Sequence, residues 1–160
     1  MKTPQYSSIF DTSGPAETAA LAERFARNMS GGEIILLYGP IGAGKTVFVK
    51  GLAAAIGVKR EPVSASFSLM RQYRGARLRL CHVDLFRLEE GDMDNLGFEA
   101  LLEDEEAILA IEWPGPMESL LPQDRLEINV DLLDGDRRRF TVAAMGRTSA
   151  ALLKAVEESI

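Results

Sequence analysis

Eight residues constrain this chain more than any other stretch: Gly39-Pro40-Ile41-Gly42-Ala43-Gly44-Lys45-Thr46. They form a complete G-x-x-x-x-G-K-T phosphate-binding loop, and each fixed position meets a separate physical demand. Gly39, Gly42 and Gly44 let the backbone curl so that successive N–H groups, that of Ala43 among them, point inward at phosphate oxygens. Lys45 can place a charge on β- and γ-phosphates, and the hydroxyl of Thr46 can ligate magnesium. The helix expected next turns its positive dipole end to the same phosphates. The flanks agree. Glu33-Ile34-Ile35-Leu36-Leu37-Tyr38 reads as a strand buried on both faces. Beyond the loop, Val47, Phe48, Leu52, Ala55 and Ile56 fall at helical spacing before the stop signal Gly57.

The rest of the chain supplies a frame of matching kind. Pro15 to Met29 predicts a first helix with Leu21, Phe25 and Met29 as its apolar stripe, ended by Ser30-Gly31-Gly32. Phe67 to Tyr73 and Leu78 to Phe86 predict a hairpin around Arg74-Gly75-Ala76-Arg77. Asp92 to Glu103 predicts a helix, and Ala107 to Glu112 a second buried strand. Arg125 to Leu132 and Arg139 to Met145 predict a further hairpin around Asp134-Gly135, and Ser149 to Glu158 a terminal helix. The order implies one α/β domain over residues 1–160, a three-layer P-loop NTPase-type arrangement whose sheet mixes parallel and antiparallel strands.

Composition excludes several classes. Hydrophobic residues make up 46% of the 160, so the chain can build a core. No apolar run approaches the roughly 20 residues a membrane span needs. Met1 to Phe10 lacks the basic start and apolar stretch of a secretory signal. Cys81 is the only cysteine, which forbids an internal disulfide and a thiolate zinc cluster, reads as a buried structural thiol and fits a reducing cytoplasm. The net charge of −6 argues against a free-standing nucleic-acid binder; the one basic run, Arg137-Arg138-Arg139, lies beside Asp134 and Asp136. A chain of this charge acting in RNA biology would work through protein partners.

A phosphate loop needs an acid near its magnesium. Glu112 closes the run Ala107-Ile108-Leu109-Ala110-Ile111 and is one candidate; Asp84, placed mid-strand in His82-Val83-Asp84, is the other. For each the competing reading is a solvated strand end. His82, the only histidine, reads more readily as a hydrogen-bonded structural residue than as a general base. Trp113, between Glu112 and Pro114, is open to both core packing and a place near the site.

Taken together, Gly39 to Thr46, Ser64-Ala65-Ser66-Phe67, His82-Val83-Asp84-Leu85-Phe86-Arg87 and Ile111-Glu112-Trp113-Pro114 resemble, in order and spacing, the TsaE (YjeE) family of small bacterial P-loop ATPases. That family serves threonylcarbamoyladenosine modification of tRNA. The phosphate loop is generic; the His-x-Asp-x-aromatic-Arg element followed by Glu-Trp-Pro is specific. Two departures stand out: Ser64-Ala65-Ser66 replaces the usual Ser-Pro-Thr, and Phe86 replaces a tyrosine. The resemblance implies ATP and Mg2+ as ligands, with magnesium on Thr46 and Glu112. It implies that Asp84, with Lys45 and Glu112, serves hydrolysis, Asp84 orienting or activating water or supporting the metal. Ser66 would sense the γ-phosphate, Trp113 would sit beside the nucleotide, and Arg139 would contribute from a late loop near Gly135. It also implies TsaB and TsaD as partners, tRNA being reached only through their complex.

Other classes remain open on sequence. A small-molecule kinase of similar length would need an acceptor pocket and an arginine-bearing lid, for which Arg137 to Arg139 is a short candidate. A nucleotide-sensing adaptor could dispense with Asp84 and Glu112. A GTPase is disfavoured, since no Asn-Lys-x-Asp sequence occurs.

Overall fold

Continuous apolar strands must be covered on both faces, and that requirement organises the molecule. The computed structural model describes residues 2–59, 70–89, 92 and 97–159. Seven strands form one sheet: β1 (Tyr6–Thr12), β2 (Ile34–Tyr38), β3 (Met70–Arg74), β4 (Arg79–Asp84), β5 (Ala107–Glu112), β6 (Leu126–Leu132) and β7 (Arg138–Ala144). Their order is β1-β7-β6-β2-β5-β4-β3. The four central strands, β6, β2, β5 and β4, run parallel; β3 and β7 pair antiparallel to their neighbours, and β1 antiparallel to β7. This is the mixed three-layer α/β sheet that the element order implies.

The period-2 alternation of the strands divides the core in two. Ile35 and Leu37 of β2, Ile108 and Ala110 of β5, and Ile128 and Val130 of β6 face one side. There they pack beneath α1 (Pro15–Arg27), α2 (Lys45–Ala55) and α4 (Arg147–Glu158). Ile34, Leu36, Cys81, Val83, Leu109 and Ile111 face the other side. That side is covered by α3 (Phe98–Leu102) and a short 3-10 helix, Gly115–Leu120, through Phe98 and Met117. Phe10, Phe25, Phe48 and Phe140 form a file of rings through the first core, at centroid spacings of 5.7–5.8 Å. Cys81 lies in the second core, where burial pushes its thiol up to about 12. No described helix is long and apolar enough to cross a membrane.

Three sequence expectations are corrected. Tyr6–Thr12, for which no element is expected, is the edge strand β1. The helix expected over Asp92 to Glu103 cannot run unbroken, because Gly97 adopts a left-handed conformation (φ 71°) directly before α3; residues 93–96 lie outside the described residues. The strand expected to reach Phe86 stops at Asp84, whose Oδ1 accepts the Phe86 N–H at 3.0 Å. Asp84 is therefore a strand-end residue and not a mid-strand one. The expected strand start at Phe67 and the segment Ser64-Ala65-Ser66 fall outside the described residues.

Helices α1 and α2 meet closely at Gly51. A methyl group there would lie 2.7 Å from Ala22 Cβ and 2.9 Å from the Ala19 carbonyl oxygen. Gly51→Ala gains about 1 kcal/mol of helix propensity, but overpacking costs about 1–3 kcal/mol where backbone must move. The expected outcome is a net loss of stability, read as a lower urea midpoint at unchanged slope. A raised midpoint would show that the two helices have room to spare.

Candidate functional site

The phosphate loop leaves the C-terminal end of β2, and the parallel pairing places the ends of β4 and β5 beside it. In register, Leu37 stands opposite Glu112 and Glu112 opposite Asp84. Both acids fall on the α2 side of the sheet, as do Ile108 and Ala110 on β5 and Leu80 on β4. Crevices at the carboxyl ends of parallel strands are where α/β sheets bind ligands. A cavity of about 380 Å³ opens here, bounded by Ile41 to Val47, Asp84, Phe86, Arg87, Glu112 and Trp113.

The loop has the geometry its sequence requires. Gly39, Gly42 and Gly44 take φ values of 141°, 82° and 102°, in the left-handed region that disfavours side chains. Gly39 is confined as well, since a Cβ would come within 2.6 Å of the Val130 carbonyl oxygen. Ala43 is buried, and its N–H donates to the Pro40 carbonyl at 3.1 Å, closing the turn and not pointing free into the loop as the sequence expectation has it. Helix α2 has no side-chain cap and no acid in its first turn, so its leading N–H groups remain available to an anion.

Lys45 is only 5% exposed. Its Nζ donates to the Gly39 carbonyl at 2.5 Å and stands 3.8 Å from the centroid of the Trp113 indole. Burial pulls the ammonium below the ordinary lysine range, while the charges of Glu112 and then Asp84 draw it back up. The Thr46 hydroxyl donates to Glu112 Oε1 at 3.3 Å, and His82 Nε2 lies 3.2 Å from the same oxygen. Asp84 and Glu112 are both buried, at 7% and 4% exposure, so neither is a solvated strand end. His82 is wholly buried and hydrogen-bonded, the structural alternative of the two read from sequence.

Trp113 lines the cavity and does not lie in the core. It is half-buried, and it is the only described non-glycine residue with a positive φ, 55°. A residue before proline disfavours such a conformation, and strain of this kind costs on the order of 1–3 kcal/mol. The twist comes directly after β5 and sets the indole over Lys45 and against Phe86, ring centroids 5.0 Å apart. Thus Gly39, Gly42, Ala43, Gly44, Lys45, Thr46, Asp84, Glu112 and Trp113 converge. Arg139 does not line this cavity: it lies in β7 and holds Asp11 of β1 through two bonds of 2.8 Å. Ser66 lies outside the described residues. Sequence reasoning missed the contact between His82 and Glu112, although alternation about Asp84 puts His82 on the right face. The Lys45 ammonium over the indole could not have been read from spacing.

These observations define a three-layer α/β domain of the P-loop NTPase type. A family model described as "Threonylcarbamoyl adenosine biosynthesis protein TsaE" matches residues 12–140. A Bacillus subtilis (strain 168) protein named "tRNA threonylcarbamoyladenosine biosynthesis protein TsaE" is 35% identical over 135 residues, 84% of each chain. The protein of that name from Aquifex aeolicus (strain VF5) is 36% identical over 129 residues, 79% of this chain and 88% of its own. The crystal structure of Bacillus subtilis YdiB superposes with a TM-score of 0.82 at 30% identity, covering 96% of this chain and 95% of that one. The chain belongs to the TsaE family.

A cation over an indole perturbs its emission. Lys45→Met is therefore expected to change Trp113 fluorescence in the absence of any ligand, whereas Lys154→Met, whose ammonium lies over Tyr6, should not. Identical spectra for wild type and Lys45→Met would detach Trp113 from the loop.

Proposed function

We propose that this protein binds ATP with Mg2+ in the loop cavity and hydrolyses it in support of a TsaB–TsaD complex that forms threonylcarbamoyladenosine on tRNA. The observation that carries the reading is the convergence of Lys45 and Thr46 with two buried carboxylates, Glu112 and Asp84, that end adjacent parallel strands. Family membership supports the tRNA-modification role, and the names of the relatives point to the same pathway.

The donor set fits magnesium. Among the described residues no three His, Cys, Asp or Glu side chains gather to cage a metal. A cation here would instead rest on the Thr46 hydroxyl, Glu112 and the phosphates, the few-ligand arrangement typical of magnesium. Bound there, magnesium would supply charge neutralisation at the β- and γ-phosphate oxygens. Lys45 would exchange the Gly39 carbonyl for phosphate oxygens, and the first turn of α2 would hold others. Asp84 would orient the attacking water or support the metal. Water adds to the γ-phosphorus, the bond to the bridging oxygen breaks, and ADP and phosphate leave. Ser66 is assigned to sensing the γ-phosphate, and Trp113 to the wall of the site. Arg139 would have to release Asp11 to reach a nucleotide.

A kinase would need free cations to close over the phosphates. Arg139 is tied to Asp11, and Arg138 donates to the carbonyls of Gly135 and Arg137. The acidic chain suits docking on proteins better than gripping tRNA unaided. ATP turnover with and without TsaB and TsaD tests the partnership: the pair should raise the rate, and no change would leave the protein an ATPase of some other complex.

Lys45→Ala removes charge-assisted bonds worth about 1.5–3 kcal/mol against the bond to the Gly39 carbonyl given up on binding, worth about 0.5–1.5 kcal/mol, so nucleotide affinity should fall about fivefold by calorimetry. Unchanged affinity would refute the loop assignment. The acids should separate: Glu112→Ala weakens the magnesium dependence of binding, while Asp84→Asn leaves binding nearly intact and cuts turnover. Equal losses of affinity in both would mean that their roles are misassigned.

A further inference from the structure

The Glu112 carboxylate is the most constrained group in the cavity. On one side its strand neighbour is Leu37, which offers no donor; on the other it is Asp84, a like charge. Its hydrogen bonds come from Thr46 and His82, and both fall on Oε1. A carboxylate oxygen only accepts, so the imidazole must carry its proton on Nε2. Nδ1 is buried and, among the described residues, has no hydrogen-bond partner. A buried polar atom left unpaired is unfavourable and calls for an explanation. If this ring only filled space between β4 and α2, an apolar side chain would fill it without the orphaned nitrogen. What the imidazole alone contributes is the N–H directed at Glu112.

We infer that His82 is a positioning residue for Glu112. Its Nε2–H pins Oε1, fixing the carboxylate in one orientation and leaving the other oxygen to face a cation. The Thr46 hydroxyl cannot do this by itself, because it is the second group assigned to the same ion. Outer-shell donors that orient a ligating carboxylate typically change metal affinity by about 10–100-fold when removed. The inference rests on the magnesium assignment of Glu112 made above.

The test compares His82→Gln, which keeps an N–H donor at similar reach, with His82→Met, which keeps the bulk and loses the donor. ATP affinity is measured by calorimetry in magnesium and in EDTA, and thermal midpoints are recorded alongside. His82→Met should lose about 10–100-fold of affinity in magnesium and change little in EDTA, with a lower thermal midpoint than wild type because the buried Glu112 carboxylate loses one of its donors. His82→Gln should retain most of the magnesium-dependent affinity. Equal losses in both media, no loss in His82→Met, or a loss in His82→Gln matching that in His82→Met would each overturn the positioning role. Absence of any magnesium effect in the wild type would instead sink the assignment of Glu112 to the metal. If His82→Met fails to fold, long-range proton–nitrogen NMR of the wild type decides, because one histidine gives one set of signals. A proton on Nε2 supports the inference, and a ring protonated on Nδ1 alone overturns it.

Discussion

A carboxylate taken out of water must be repaid locally, and Glu112 sets that demand for the whole site. At 4% exposure it cannot rely on solvent. It requires a donor from the loop helix and a donor from the neighbouring strand, and it finds both, in Thr46 and His82. This fixes how α2 sits on the sheet, because Thr46 must reach the end of β5. It also fixes the residue type two positions before Asp84 on β4, because only that face looks toward the same oxygen. Asp84, a like charge in the next strand, makes the donors more necessary still.

The topology is what allows one edge of the sheet to gather so much chemistry. Parallel strands all end on the same side, so β2, β4 and β5 bring the loop, Asp84 and Glu112 together without any loop reaching across the molecule. The antiparallel strands β7 and β1 extend the sheet on one flank, where the Arg139–Asp11 pair joins them. That ion pair holds the Asp11 carboxyl below its usual range, and its exposure marks it as part of the sheet edge and not of the cavity.

Much of this was legible in the sequence because it follows from periodicity. The runs Ile34–Tyr38 and Ala107–Glu112 are apolar on both faces, which only a covered strand tolerates, and both appear at the expected positions. Strand β1 was not legible because its alternation carries the wrong chemistry. Ile9 faces solvent at 61% exposure, while Ser8, on the inner side, is satisfied by Glu157 of α4. Only tertiary contacts make that stretch a strand. The placement of Asp84 mid-strand failed for a related reason: Leu85 and Phe86 continue the apolar pattern, but the Asp84 side chain caps the chain locally and ends the pairing. The site was half legible. The loop spacing named its own residues, but the contacts of His82 and Trp113 depend on strand register and on one strained backbone angle.

That strained angle bears on how the cavity handles charge. Lys45 is already provided for, with a carbonyl acceptor in Gly39 and the indole face of Trp113. Replacing a bond to a neutral carbonyl, worth about 0.5–1.5 kcal/mol, with one to a phosphate, worth about 1.5–3 kcal/mol, gains only about 1 kcal/mol. Lys45 by itself therefore cannot be the chief source of affinity in the proposed site. The larger share would then come from the N–H groups that open α2, which no side chain caps among the described residues.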